Sequence, residues 1–249
     1  MSRFALLISL MLATAAFADG YQEAVDHPDR PAADRADDDR RKPVEVMAFA
    51  GVSEGYIVID LGAGGGYTTE LAARLVGEKG RVYAQGLDAS RTARNRLPNV
   101  ISLPPHLLFE LAARLEEAGL KKGTADRVLA FFTLHDMYLN DNIDKQRLYR
   151  VLLDFLKPGG EFIVLDSTAR EGSALADTRS LHRIDPEFLK HEVLKAGFEF
   201  AGESNVLRNP DDDLQSRWNR DTETRARGYH DRFAFSFRKP QVDSSAGVE

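Results

Sequence analysis

Four glycines, Gly62, Gly64, Gly65 and Gly66, crowd into five positions of this chain, and an acid, Asp60, stands two residues before them. Glycine carries no Cβ and visits positive φ freely, so a glycine-dense turn lets a ligand reach main chain that a side chain would otherwise cover. Val58-Ile59-Asp60-Leu61 on one side is a short apolar run, and Tyr67-Thr68-Thr69-Glu70-Leu71-Ala72 on the other has helical character. Strand, turn and helix N-terminus in that order suit a nucleotide-type ligand. A second group able to do chemistry is Thr133-Leu134-His135-Asp136-Met137-Tyr138. A histidine can move a proton near neutral pH. His135 would be the acid or base, Asp136 would orient it or hold a substrate, and Tyr138 would pack or donate. The competing structural reading has Asp136 capping the next helix and His135 as a polar structural residue. A third group, His182 and Arg183, offers another acid/base and a clamp for a carboxylate or phosphate; alternatively it is only the loop before the helix start Asp185-Pro186. Asp166 closes an apolar run, where it either lines a pocket or makes a turn.

The elements that must hold these groups follow from the pattern. Residues 19–42 are charged and end in Asp37-Asp38-Asp39-Arg40-Arg41-Lys42, which predicts a mobile or loosely docked arm with a helical part. Pro43 opens a helix through Ala50, with Val44, Met47 and Phe49 or Ala50 facing inward. Strands are then expected at 57–61, 81–85, 99–103, 125–132, 161–166, 198–204 and 232–238. Helices are expected near 66–76, 106–118, 142–156 and 186–196. The run 125–132 is apolar throughout, as a parallel strand covered on both faces must be. This alternation predicts an α/β fold with a doubly wound sheet. Such sheets bind ligands outside the carboxyl ends of their strands. Those ends present Asp60, Gln85, the segment 133–138 and Asp166, so the candidate chemistry falls on one rim.

Composition narrows the function. The chain has 249 residues with 39 acids against 33 lysines and arginines, a formal charge of −6 that argues against a duplex nucleic-acid binder. It contains no cysteine, which excludes a disulfide, a thiolate metal site, a catalytic thiol and a lipoprotein anchor. No metal-ligand spacing is recognisable, and Arg208-Asn209-Pro210-Asp211-Asp212-Asp213 reads as a turn followed by solvated acids. Arg3, the apolar stretch Phe4 to Thr14 and Ala16-Phe17-Ala18 predict a secretory signal peptide over 1–18, hence an exported protein, periplasmic in a Gram-negative source. No later segment is long and apolar enough for a membrane span. One domain over 43–240 and a disordered tail over 241–249 complete the expected organisation. Trp218 and Tyr229, in the long stretch before the last strand, are expected to form a lid.

A dinucleotide fingerprint reads G-x-G-x-x-G, and its last position here is Tyr67. What remains, Asp60-x-Gly62-x-Gly64-x-Gly66, resembles the first motif of the class I S-adenosylmethionine (SAM) dependent methyltransferases. Leu156-Lys157-Pro158-Gly159-Gly160 before a hydrophobic strand is similar to that family too. So are Gly197-Phe198 and the closing Phe235-Ser236-Phe237-Arg238-Lys239-Pro240, so that the resemblance covers 43–240. Leu181-His182-Arg183-Ile184-Asp185 and Leu207-Arg208-Asn209-Pro210 are similar to a group of predicted, exported methyltransferase-like bacterial proteins. The resemblance implies a Rossmann-like, seven-stranded sheet with its last strand antiparallel. It implies SAM bound by Asp60, Gly62, Gly64, Gly66, Tyr67, Gln85 and Thr133. A small-molecule methyl acceptor would meet Tyr138, Asp166 and Arg183, with His135, Asp136 and His182 as catalytic candidates. The family usually has an acid at the end of strand two for the ribose hydroxyls; Gln85 there can accept and donate but carries no charge, and Asp88 is a substitute. The Asn-Pro-Pro-Tyr/Phe motif of many amine methyltransferases is absent, which disfavours that acceptor class. Two other readings remain: a non-catalytic exported binding protein on the same fold, favoured by Gln85 and by export away from cytoplasmic SAM, and a nicotinamide-dependent oxidoreductase, opposed by Tyr67.

Overall fold

The computed structural model describes residues 19–88, 97–105, 110–217 and 230–241. The expected signal peptide, the start of the helix expected from residue 106, Trp218, Tyr229 and the tail beyond Gln241 lie outside the described residues. The strands are β1 (Ile57–Gly64), β2 (Arg81–Leu87), β3 (Val100–Leu103), β4 (Ala125–Phe131), β5 (Leu156–Ser167), β6 (Glu199–Ser204) and β7 (Arg232–Arg238). The helices are α1 (residues 19–26), α2 (Ala32–Arg35), α3 (Asp38–Arg41), α4 (Pro43–Ala50) and α5 (Tyr67–Val76). They continue with α6 (Leu111–Glu117), α7 (Leu134–Leu139), α8 (Lys145–Phe155), α9 (Ala176–Leu181) and α10 (Pro186–Lys195).

All seven strands join one sheet in the order β3-β2-β1-β4-β5-β7-β6. Strands β1 to β5 are parallel to their neighbours, and β7 lies antiparallel between β5 and β6. This is the doubly wound, seven-stranded α/β sheet with an antiparallel last strand that the sequence pattern and the resemblance predict. Period-two alternation sorts each central strand between two cores. Ile59, Val128, Ala130, Phe162 and Val164 face one core with Leu111 of α6, Leu152 of α8 and Leu189 of α10. Val58, Leu129, Ile163 and Leu165 face the other with Met47 of α4 and Leu71 and Val76 of α5. Each such fully buried Leu, Val or Ile contributes about 1.5–3 kcal/mol relative to exposure, so both faces of the sheet are fastened.

Three features differ from the sequence reading. In α4 the buried side is Pro43, Val46, Met47 and Ala50, while Val44 and Phe49 are only half-buried. The charged arm is docked. Tyr21 and Val25 join the second core, Tyr21 Oη donates to the Val52 carbonyl at 3.1 Å, and buried Arg30 pairs with Asp38 through two 2.8 Å bonds. The short helices α7 and α9 are additional, each of six residues; fewer than two turns give no periodicity to read. Among the described residues no helix is long and apolar enough to cross a membrane.

Candidate active site

Strand β1 leaves the sheet through the glycine turn, where Gly62, Gly64 and Gly66 have φ of +70°, +52° and +75°. The three glycines answer to different neighbours. A Cβ on Gly62 would stand 2.1 Å from Thr133 Oγ1, so the close approach of β4's end requires glycine there. Among the described residues a Cβ on Gly64 would find only the Gly62 carbonyl within 4 Å, at 3.8 Å, so they leave the space over Gly64 open. Gly66 is the N-cap residue of α5. Gln85, at the end of β2, accepts from the Gly62 N–H at 3.0 Å and donates to the Pro105 carbonyl at 3.1 Å. Expected to meet the cofactor, Gln85 spends one hydrogen bond of each polar atom on main chain and so fixes the shape of the turn. Asp88 comes to the same turn by donating its N–H to the Gly64 carbonyl at 2.8 Å.

Asp60 and Tyr67 flank the turn but face inward. Asp60 is buried and accepts from Thr69 Oγ1 at 2.5 Å. Burial raises its carboxyl to about 6, against the opposing Thr69 hydrogen bond. Asp60 therefore ties β1 to α5. Tyr67 Oη donates to Asp38 Oδ1 at 2.5 Å, and the Arg41 guanidinium lies 4.3 Å from its ring centroid. Burial, then the Asp38 hydrogen bond and charge, push the Tyr67 phenol far above its ordinary range. The arm is thus fastened directly to the helix that follows the glycine turn.

The adjacent ends of β4 and β5 bring the acid–base residues together. Asp166, fully buried at the end of β5, has Oδ1 2.6 Å from His135 Nδ1, and its Oδ2 accepts the His135 backbone N–H at 3.1 Å. His135 lies in the first turn of α7, just beyond β4. A carboxylate accepts only, so it holds the Nδ1 proton and turns Nε2 toward Asp136, whose Oδ1 is 3.4 Å away. Burial opposes a charged ring, but the Asp166 charge and hydrogen bond, with Asp136, raise His135 to about 9. His182, which ends α9 with φ +54°, puts Nδ1 3.6 Å from the same Asp136 oxygen. Arg217 Nη2 stands 2.8 Å from His182 Nε2. Arginine only donates, so a neutral His182 carries its proton on Nδ1, facing Asp136. His135, Asp136 and His182 each offer an atom within 4.8 Å of the others, a convergence of two separate segments that no sequence spacing announces. Hydrogen bonding and ion pairing account for the orientation of each side chain in it.

Two of the expected acceptor residues are committed elsewhere. Arg183 is fully buried and donates to Asp212 at 2.7 and 3.1 Å, to the Thr168 carbonyl at 3.0 Å and to the Ser216 carbonyl at 2.8 Å. Four of its five N–H groups are engaged in this way, and it braces the segment before β7. Asp212 is correspondingly no solvated acid; burial works against its charge, but Arg183 and the N–H groups of Asp231 and Leu214 hold its carboxyl below the usual range. Tyr138 is buried with Oη 3.1 Å from Tyr149 Oη, which makes it a core residue. Asp166 orients His135 rather than facing an acceptor. Thr133 packs on Gly62 as described. The sequence reading passed over Arg232, the first residue of β7, which pairs in register with Ser167 and so stands on the same rim.

A family model described as a methyltransferase domain matches residues 59–164, a span that holds the glycine turn and His135. The ubiquinone/menaquinone biosynthesis C-methyltransferase UbiE of Klebsiella pneumoniae (strain 342) is 32% identical, over 63% of this chain and 72% of its own length. The chain spans about half of other such relatives, for example 51% of the Pseudoalteromonas translucida protein, at 28% identity and over 53% of this chain. Among solved structures, a SAM-dependent methyltransferase from Aquifex aeolicus superposes with a TM-score of 0.54 at 19% identity, over 80% of this chain and 89% of that one. The [4+2]-cyclase SpnF superposes at 0.55 with 18% identity, over 82% and 81%. At such identities these two show the fold alone. The turn leads directly into the N-terminus of α5 and, among the described residues, leaves Gly64 uncovered, as approach of a nucleoside-bearing ligand to its main chain requires. The relative matched over most of its length and the family model across the glycine turn lead to one conclusion: the chain belongs to the class I SAM-dependent methyltransferase superfamily, whose cofactor is SAM.

Proposed function

We propose that this protein transfers the methyl group of SAM to a small-molecule acceptor at the rim between β4 and β5, with His135 as the acceptor-side acid–base group. The observation that carries the reading is the buried Asp166–His135 pair, with Nε2 turned toward Asp136 and away from Asp166. SAM supplies a methyl group on a sulfonium that is already a good leaving group, so the protein's part is alignment and proton handling. The glycine turn, held by Gln85, would carry the cofactor, and Asp88 beside Gly64 would accept from the ribose hydroxyls. His135 is cationic at neutral pH and must lose the Nε2 proton before it can serve as a base. The acceptor proton then moves onto Nε2, and Asp166 steadies the imidazolium through Nδ1. Asp136 and His182 would border the acceptor. The relatives are C-methyltransferases, which brings an acidic carbon into the range of acceptors, beside hydroxyl groups.

The reading includes export, on the pattern of residues 1–18, and N-terminal mass analysis of protein from the native host should find Asp19 first. A binding protein on the same fold draws support from Gln85, whose polar atoms are engaged by main chain; the oriented His135–Asp166 pair speaks against it. Calorimetry with SAM and S-adenosylhomocysteine (SAH) tests the proposal. Absence of binding by either at millimolar ligand would overturn it. His135→Ala is expected to keep SAH affinity and abolish turnover, and unchanged turnover would remove His135 from the mechanism.

A further inference from the structure

Where the docked arm meets β7, one buried arginine is left out of the ion pairing. Arg40 and Arg41 share Asp37, at 2.8 and 3.5 Å. Arg30 takes Asp38, and Arg208 takes Asp231. Arg232 has no carboxylate of its own among the described residues. It is only 6% exposed, and its Nη2 donates to the Arg40 carbonyl at 3.0 Å. Its Nε and Nη1 have no hydrogen-bond partner among the described residues. The guanidinium stands 6.0 Å from the Phe132 ring centroid. Burial first, then the Arg40 and Arg41 charges, push it down to about 10 from an ordinary 12.5. A buried guanidinium with unpaired donors beside two more cations is a poor structural device, because burial of a charge needs a partner.

The surroundings suggest what the partner is. Phe132 and Arg41 border a cavity whose other walls include Met47, Tyr67, Leu71 and Leu165. It lies against the first turns of α5, next to the glycine turn. Phe132 itself is held at φ +58°, a conformation that a bulky residue adopts only under constraint. We propose that Arg232, with Arg40 and Arg41 around it, is an anion site on this rim that takes the carboxylate or phosphate of a bound ligand. Two ligands could bring that group: SAM through its amino-acid carboxylate, or the acceptor through an acid group of its own. The first source rests on the methyltransferase reading; the site itself rests on charge and geometry.

Calorimetry on the full mature chain separates these cases. The probes are SAH, methylthioadenosine (the same thioether nucleoside without the amino-acid end), octanoate, and octanol of matching length. In the wild type, either SAH is bound about tenfold or more tighter than methylthioadenosine, or octanoate is bound about tenfold or more tighter than octanol on SAH-saturated protein. Arg232→Met is expected to erase that preference and Arg232→Lys to restore most of it. Loss of the SAH preference assigns the anion to SAM, and loss of the octanoate preference assigns it to the acceptor. Without ligand, Arg232→Met should raise the melting temperature by about 2–4 °C, since methionine fills the space and leaves no donor unpaired. An arginine present only for structure would give a fall instead. If Arg232→Met does not fold, Arg41→Met should reduce the same preference about threefold. Absence of both preferences in the wild type, or survival of the observed one in the variants, overturns the proposal. Failure of SAH to bind, with octanoate binding to the ligand-free protein still dependent on Arg232, would overturn the methyltransferase reading and leave the anion site standing.

Discussion

His135 owes its chemistry to one neighbour. Burial alone would make this ring neutral, and the Asp166 carboxylate at 2.6 Å reverses that, raising the ring to about 9. If the neutral ring is the base, kcat/KM should climb with pH, reach half its plateau near pH 9 and level off above that, as a pH-rate profile will show; a flat profile from pH 6 to 9 would end the base assignment. Asp166→Asn removes the charge that holds the proton, so the rising limb should move toward the ordinary 6.5, with activity reduced about 10²–10⁴-fold. The same shift acts on stability. A folded-state value above the unfolded one stabilises fully below about 6.5, and that contribution is lost as pH rises through about 9. Melts at pH 6 and pH 9.5 should therefore converge in Asp166→Asn relative to the wild type. His135 and Asp166 were each visible in the sequence as strand-end residues. Their partnership was not, because it depends on β4 and β5 being neighbours.

At the scale of elements, the β1–α5 turn separates two duties that the glycine spacing runs together. Gly62 gives room to Thr133, while Gly64 leaves space open. Gly62→Ala forces a Cβ to 2.1 Å from Thr133 Oγ1 at φ +70°, so it should cost about 1–3 kcal/mol of stability as well as SAH binding. Gly64→Ala meets no clash and bears only the left-handed strain of about 1–2 kcal/mol. Its SAH affinity should fall further than its stability does. Urea denaturation and calorimetry on both variants check this, and equal losses in each would show that the turn has one duty rather than two. The motif was legible because its glycine spacing is local. The role of Gln85 was not, since its partners Gly62 and Pro105 lie in other parts of the chain.

Across the whole molecule, buried ion pairs fasten the two segments that frame the rim. Arg30–Asp38 secures the arm, and Arg183–Asp212 secures the stretch ahead of β7. Removing one partner of the second pair strands the other charge inside. Arg183→Ala should lower stability by about 3–5 kcal/mol while leaving SAH affinity within about twofold, because no SAM-side residue touches Arg183. Chemical denaturation with calorimetry decides it, and an affinity loss without a stability loss would return Arg183 to the binding site. The sequence by itself determined the strands, the larger helices and the glycine turn, because apolar periodicity and turn glycines act over a few residues; the class of cofactor came from the family resemblance that the turn's motif carries. Which polar side chains face ligand and which face each other was decided only by the tertiary structure. A strand end names a place on the rim; burial and the partner that strand order delivers decide whether the group there is a clamp, as expected of Arg183, or a brace, as found.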